Sequence, residues 1–536
     1  MDKMKMESVN MTEQNIERIG ELFPNCITEM LDEEKSTPDN KVYKKAVNFE
    51  MLKQMLSDEV IDGDEAYEFT WVGKKAAIVE ANKPIRKTLR PCPEESVNWD
   101  KTENLYIEGD NIDVLKLLQE SYLGAVKLIY IDPPYNTGSD NFVYPDDYTM
   151  NEEEYENGIG LFNVDGNKLF KENNNGNSRF HSDWCSMIYS RLLLAKNLLT
   201  FNGVICIQID DNEYDNLKKI CDEVFGASNF MTTIVVKMSE PTGMKMAHAD
   251  LRIPKLKEYI LVYTNGERSQ LGNINIPKEK WDNEYKTLLE NISRDEVEII
   301  KKIRENEDRT NDIVLDFFGG SGTTGQAVMN YSKKSGINRK FILVQLQENL
   351  DEEVLKQSGT SKKDTQELID YLDSINRPHF LSEIGKERLI QSGKAINDSN
   401  VDTGFRVLKV DDSNMNDVYF SPADYSQGFL SQLESNIKSD RTDLDLLFGC
   451  LLEWGLPLSL PYSSEQIEGC TVHNYNDGDL IACFDENIPD SVIKEIARKQ
   501  PLRAVFRDSS FANSPSKINV GEIFKLVAPD TSIKVI

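Results

Sequence analysis

The chain has 536 residues, 39% of them hydrophobic and 28% charged, with a formal net charge of −30; a chain of this size has room for roughly two to four domains with their own cores. No apolar run nears the ~18 residues that a membrane-spanning helix needs, and the start "MDKMKMESVNMTEQNIERIGELF" lacks the apolar stretch of a secretory signal, so neither membrane insertion nor export is expected and the cytoplasm is the expected compartment. The acidity argues against a nonspecific nucleic-acid binder, because basic residues must displace condensed counterions, and any DNA-binding reading has to account for it.

In chain order, residues 1–95 are polar and charged with helical patterning, as in "NFEMLKQMLSDEV", and the turn-rich "RPCPEESVNWDK" marks a boundary. Residues 96–265 alternate short apolar runs with amphipathic stretches: "VKLIYID", "WCSMIYSRLLLAKNLL", "GVICIQID", "YDNLKKICDEVF". Such alternation predicts an α/β domain with a mostly parallel sheet. Inside it, the polar excursion 151–178 reads as a long loop beside the "DPPY" strand. Residues 266–310 form a charged segment, and residues 311–410 open with "DIVLDFFGGSGTTGQAV", a strand, a Gly-rich turn and a helix start. "KFILVQL" and "DTGFRVLKV" follow, and residues 411–536 read as a separate α+β C-terminal region with an interaction or dimerisation role. No internal repeat is present.

Two constellations carry chemistry. In "DIVLDFFGGSGTTG", Gly319, Gly320 and Gly322 crowd the passage from strand to helix. Glycines let the backbone turn tightly and approach a ligand, and the helix N-terminus offers free N–H groups. An ordinary structural turn would use the same residues. No GK[ST] follows them, which excludes a P-loop, and with Asp316 at the strand end the arrangement reads as a pocket for a nucleoside cofactor.

The second constellation, "DPPYNTG", ends the "VKLIYI" strand. Asp132 can accept from an exocyclic amino group, the Pro133 and Pro134 carbonyls are held by restricted torsions, and Tyr135 offers a flat face for a base. The bland alternative is a proline turn with a capping acid. Metal chemistry has little to work with: the eight cysteines contain no CxxC pair, and His181, His248, His379 and His473 show no ligand spacing.

"DPPYNTGSDNFVY" together with "LDFFGGSGTTGQAV" resembles the β-class amino methyltransferases, and more closely the modification (Mod) subunits of type III restriction-modification systems. "EGDNIDVLKLL", "KEYILVYT", "NRKFILVQL", "DTGFRVLKV" and "FRDSSFANSPSKINVGEIFKL" extend the resemblance along nearly the whole chain. It implies a permuted Rossmann-like methyltransferase domain, the catalytic motif preceding the cofactor motif. It also implies transfer of a methyl group from S-adenosylmethionine to adenine N6, because an acid rather than a serine opens "DPPY". Asp132, Pro133, Pro134 and Tyr135 match the motif that holds and stacks a flipped adenine. Asp316, Phe318, Gly320 and Gly322 match the S-adenosylmethionine motif, and Asp110 in "EGDN" matches an acid near the cofactor's adenine. Gln345, or Glu348 beyond it, stands where dinucleotide folds place the ribose acceptor. The implied reaction is direct in-line displacement by positioning and electrostatics, on a base taken out of the stack. Implied partners are double-stranded DNA, a restriction (Res) subunit and a second copy of the chain.

Other candidates have two readings. His181 and Trp184 in "FHSDW" either border the active site or form a helix cap and a core tryptophan; Asp210 and Asp211 in "QIDDNE" are expected to cap the next helix.

One departure from the resembling subunits stands out. They carry a long target-recognition region between "KEYILVYT" and "LDFFGGSG", followed by a lysine–proline helix. Here 45 residues, 266 to 310, separate Asn265 from Asn311, and no "KP" lies among them before "NDIVLDFF". Recognition regions supply base-edge and phosphate contacts, so weakened DNA binding and reduced cofactor affinity are expected. Two alternatives stay open: a recognition-deficient remnant acting as a dimerising or restriction-subunit-binding scaffold, and a methyltransferase for RNA or another amine.

Overall fold

The computed structural model describes residues 2–4, 6–32, 36, 41–56, 69–137, 143–144, 171–172, 180–238, 257–266, 312–357, 359–416, 437–511 and 514–536. The expected loop 151–178, apart from the short strand Lys171–Glu172, and nearly all of the charged segment 266–310 lie outside the described residues.

A nine-stranded sheet organises the chain. Its strands are β1 (Lys87–Pro91), β2 (Leu105–Glu108), β3 (Val126–Ile131), β4 (Leu199–Ile209), β5 (Phe230–Lys237), β6 (Lys257–Thr264), β7 (Ile313–Asp316), β8 (Lys340–Gln345) and β9 (Arg406–Asp412). Across the sheet the order is β5-β6-β4-β3-β7-β8-β2-β9-β1. The six strands from β4 to β9 in that order run parallel. β6 is antiparallel to β4, β5 to β6, and β1 to β9. All six residues of β3 are buried, as a strand covered on both faces requires. Side chains alternate between the faces: Ile129 and Ile131 join one apolar core, Leu128 and Tyr130 the other.

Helices α1 (Asn111–Leu117) and α2 (Phe180–Leu198) share the first core. α3 (Tyr214–Cys221) joins them there through Leu217 and Ile220. The second core takes α4 (Thr323–Ser335) and α5 (Leu381–Ile396), whose Val328, Met329 and Leu389 lie under β7 and β8. Asp110 caps α1 by accepting from the Ile112 N–H at 3.1 Å. Among the described residues no helix is long and apolar enough to cross a membrane, and none of the eight cysteines is in a disulfide.

Three expectations need correction. Residues 1–95 are not purely helical: strands Ile27–Leu31 and Tyr43–Val47 pair as a hairpin, and β1 joins the main sheet. The charged pattern hid these strands because their side chains are largely exposed. Nor is the C-terminal region separate. Five of its strands and Asp2–Lys3 from the N-terminal region form a six-stranded sheet, ordered Asp2–Lys3, Ser532–Val535, Arg503–Phe506, Leu480–Cys483, Cys470–Tyr475, Tyr462–Ile467. Yet α6 (Asp443–Glu453) sends Leu446, Leu447, Phe448 and Leu451 into the core shared by β2, β3 and β4. The buried Arg406 guanidinium of β9 also donates to the carbonyls of Trp99, Leu458 and Leu460. Finally, neither Asp210 nor Asp211 caps α3: Asp210 closes a local turn onto Asn212, and Asp211 accepts from the Tyr259 hydroxyl at 2.7 Å.

Candidate active site

β3 and β7 are parallel neighbours, with Leu315 opposite Ile129. The turn after β3 and the turn after β7 therefore leave the sheet at the same edge. From β3 the chain continues to β4 on one side, and from β7 to β8 on the other. That divergence opens a crevice between the two turns, the usual place for a ligand in an open α/β sheet.

On one side stands "DPPYN". Asp132 is exposed and Pro133 buried. The Trp184 indole, fully buried on α2, donates to the Pro134 carbonyl at 2.7 Å. No hydrogen bond to the Pro133 carbonyl is present among the described residues, so of the two proline carbonyls it is Pro133's that is left for a ligand. Trp184 thus borders the "DPPY" turn and belongs to the core at once. The Tyr135 hydroxyl donates to Glu258 on β6 at 3.1 Å, and Glu258 also accepts from Gln208 at 2.7 Å. Burial, with the Asp132 and Glu258 carboxylates nearby, pushes the Tyr135 phenol well above its ordinary range, so it stays a neutral donor that holds its ring in place. Asn136 follows with φ of 57°, a left-handed conformation that Asn tolerates better than most residues.

On the other side stands "DFFGGSGTTG". Asp316 is buried and accepts from the Thr324 hydroxyl at 2.7 Å and the Phe318 N–H at 2.9 Å. Burial outweighs both donors and pushes its carboxyl up to about 7, and the Asp132 charge adds to the rise. Gly319 and Gly322 are required by packing: a Cβ at either would lie 3.1 Å from the Val344 carbonyl or 3.0 Å from that of Gly385. A Cβ at Gly320 would meet only the Phe318 carbonyl, at 3.8 Å. Its φ of 50° and the open space beside it suit a closely approaching ligand. Gln345 braces this turn, its side-chain oxygen accepting from the Gly320 N–H at 2.6 Å.

A buried arginine that the sequence reading passed over ties the parts together. Arg191 on α2 donates to Asp110 at 3.3 Å, to the Asn111 side-chain oxygen and to the Met187 carbonyl at 2.9 Å. Asn111 in turn donates to the Phe317 carbonyl at 2.9 Å. The helix behind "DPPY", the "GDN" turn and the "DFFGG" turn thus share one hydrogen-bonded knot. An arginine inside the apolar run "MIYSRLLLA" was the available signal, since a charged residue in a buried apolar run needs partners.

Glu95, Glu108 and Glu383 also converge within reach of a metal ion. Lys386 already sits among them, 2.8 Å from Glu108 and 2.6 Å from Glu383. Lys409 also pairs with Glu95 and Glu108, and Arg377 with Glu383, so cations of the protein already occupy this cluster.

The fold and its paired turns define a permuted Rossmann-like α/β arrangement, the "DPPY" strand preceding the glycine-turn strand. Residues 126–356 match the family described as DNA methylase. Over 241 residues the chain is 37% identical to the type III restriction-modification enzyme EcoPI Mod subunit of Escherichia phage P1, covering 44% of this chain and 36% of that one. It is 35% identical over 256 residues to the EcoP15I Mod subunit of Escherichia coli, covering 46% and 37%. Against the type II methyltransferase M.KpnI of Klebsiella pneumoniae it is 31% identical over 194 residues, covering 36% and 38%. These matches bear out the resemblance to type III Mod subunits read from the motifs. They span little more than a third of each relative's length.

Proposed function

We propose that this chain transfers a methyl group from S-adenosylmethionine to adenine N6 in DNA, as the modification subunit of a type III restriction-modification system. The observation that carries the reading is the meeting of "DPPY" and "DFFGG" at the ends of neighbouring parallel strands, with the Asp132 charge close enough to add to the raised Asp316 carboxyl. The residues suit the cofactor: a glycine turn open at Gly320, and acids facing a molecule that carries a sulfonium and an ammonium cation. Bound there, the cofactor supplies the methyl group. Asp132 and the Pro133 carbonyl accept the exocyclic N–H groups, the Tyr135 ring stacks on the base, and the amine lone pair is left pointing across the crevice. Asp132 is then placed to take the proton that the amine loses. Asp316, Phe318, Gly320 and Gly322 hold the cofactor, with Asp110 and Gln345 shaping its pocket. Double-stranded DNA with a flipped adenine, a Res subunit and a second copy of the chain are the proposed partners.

Calorimetric titration with S-adenosylmethionine, followed by transfer of labelled methyl groups to unmethylated genomic DNA, tests the reading. Cofactor binding without transfer to any DNA would instead favour the scaffold reading. The pH dependence adds a sharper check. Asp316 must ionise to face a cation, and with its carboxyl near pH 7 the ionised fraction falls as pH drops. Cofactor affinity is expected to be about tenfold weaker at pH 6 than at pH 8, and Asp316→Asn should flatten that difference. The raised value also means that ionising Asp316 opposes folding as pH rises from about 4 to 7. The thermal stabilisation given by the cofactor should accordingly be larger at pH 8 than at pH 6, as differential scanning fluorimetry would show.

A further inference from the structure

Glu213 lies just before α3, at the edge of the sheet that carries the catalytic turn, and it is fully buried. Its carboxylate accepts from three side chains. Asn136 donates from the residue that follows Tyr135, at 2.5 Å; His181 lies 2.6 Å away through Nδ1, from the start of α2; Asn216 donates at 2.7 Å from α3. A buried carboxylate is costly unless such donors surround it, and here they come from three separate elements. Asn136 also reaches the Phe180 carbonyl at 3.3 Å, which closes the link back to α2. The same helix start carries Trp184, whose indole occupies the Pro134 carbonyl. The catalytic turn is therefore gripped on both sides of Tyr135: at Pro134 by Trp184, and at the left-handed Asn136 by Glu213.

We propose that Glu213, together with Asn136, is the positioning element of the catalytic turn, setting the orientation of Asp132 and Tyr135 without touching the substrate. The role rests on the methyltransferase reading above. A displacement of the turn by a fraction of an ångström would change the attack geometry and leave the cofactor pocket, which is built on β7 and β8, in place.

The test uses the full chain with Glu213→Gln, Glu213→Ala and the swapped pair Asn136→Asp/Glu213→Gln. Hydrogen exchange followed by mass spectrometry reads the peptides covering residues 128–137 and 314–326, and labelled methyl transfer and cofactor titration are measured in parallel. In Glu213→Gln, kcat is expected to fall about 30-fold with cofactor affinity within about twofold. Exchange should accelerate at Tyr135–Thr137 and not in the glycine turn. The swapped pair should recover a large part of the loss, because an acceptor at 136 again meets an amide at 213, a coupling that a double-mutant cycle isolates. Unchanged exchange at Tyr135–Thr137 in both single variants overturns the proposal, as does acceleration spread equally over both peptides. If the wild-type chain binds the cofactor but methylates no DNA, the functional reading fails, and the exchange data still decide the positioning role.

Discussion

Asp132→Ala is expected to lower methyl transfer about a thousandfold while the affinity for S-adenosylmethionine changes only a few fold. Asp132 is exposed at the crevice mouth, so its removal disturbs little packing. It is also the only ionisable side chain in the "DPPY" turn that can both orient an amino group and receive its proton, because the Tyr135 phenol lies between the Glu258 and Asp132 carboxylates and is kept neutral. Asp132→Asn keeps an acceptor oxygen but not the charge, and should retain more activity than alanine while staying far below the wild type. A second readout separates loss of chemistry from loss of structure. The Asp132 charge contributes to the raised Asp316 carboxyl, so either substitution should move the pH midpoint of cofactor binding downward. Titrations at pH 6, 7 and 8 would show it. Normal transfer by Asp132→Ala would remove the catalytic assignment of the whole turn.

Arg191→Leu is expected to destabilise the protein by about 3–5 kcal/mol, the usual cost of breaking a buried ion pair from one side. Its guanidinium is fully buried and meets Asp110, itself buried, together with Asn111 and the Met187 carbonyl. Leucine fills part of the volume and supplies none of these donors. Lysine has a compact ammonium in place of a planar fork, so Arg191→Lys should recover only part of the loss. Urea unfolding of the three proteins measures the difference as a shift in midpoint at constant slope. Because Asn111 carries the link onward to the Phe317 carbonyl, cofactor affinity should fall alongside stability. A stable Arg191→Leu chain with unaltered affinity would show that the knot is dispensable.

Much of the site was legible along the chain. The "VKLIYI" and "DIVLD" runs announced two buried strands, and proline and glycine announced the turns behind them, since these residues restrict or free the backbone whatever surrounds them. The helical reading of residues 1–95 failed at the exposed hairpin and at β1. The first lacks a buried face to stamp an alternating pattern on it, and the second pairs with a strand about 320 residues away, Leu89 lying opposite Val410.

Gln345 shows where local pattern stops. Its place at the end of β8 suggested a ribose acceptor, and the fold gives its oxygen to the Gly320 N–H, 25 positions away. Likewise, Trp184 is 50 residues from the Pro134 carbonyl it occupies, and Glu213 is 77 from Asn136.

Residue chemistry and periodicity were enough for the two turns, their order and the alternating architecture, because backbone restriction and apolar patterning act over a few residues. Tertiary structure alone decided which proline carbonyl is occupied by Trp184, which acid is raised toward neutrality, and that the C-terminal region shares a core with the nine-stranded sheet. Each of these depends on burial and on hydrogen-bond partners delivered by distant segments, and those exist only once the chain has closed on itself.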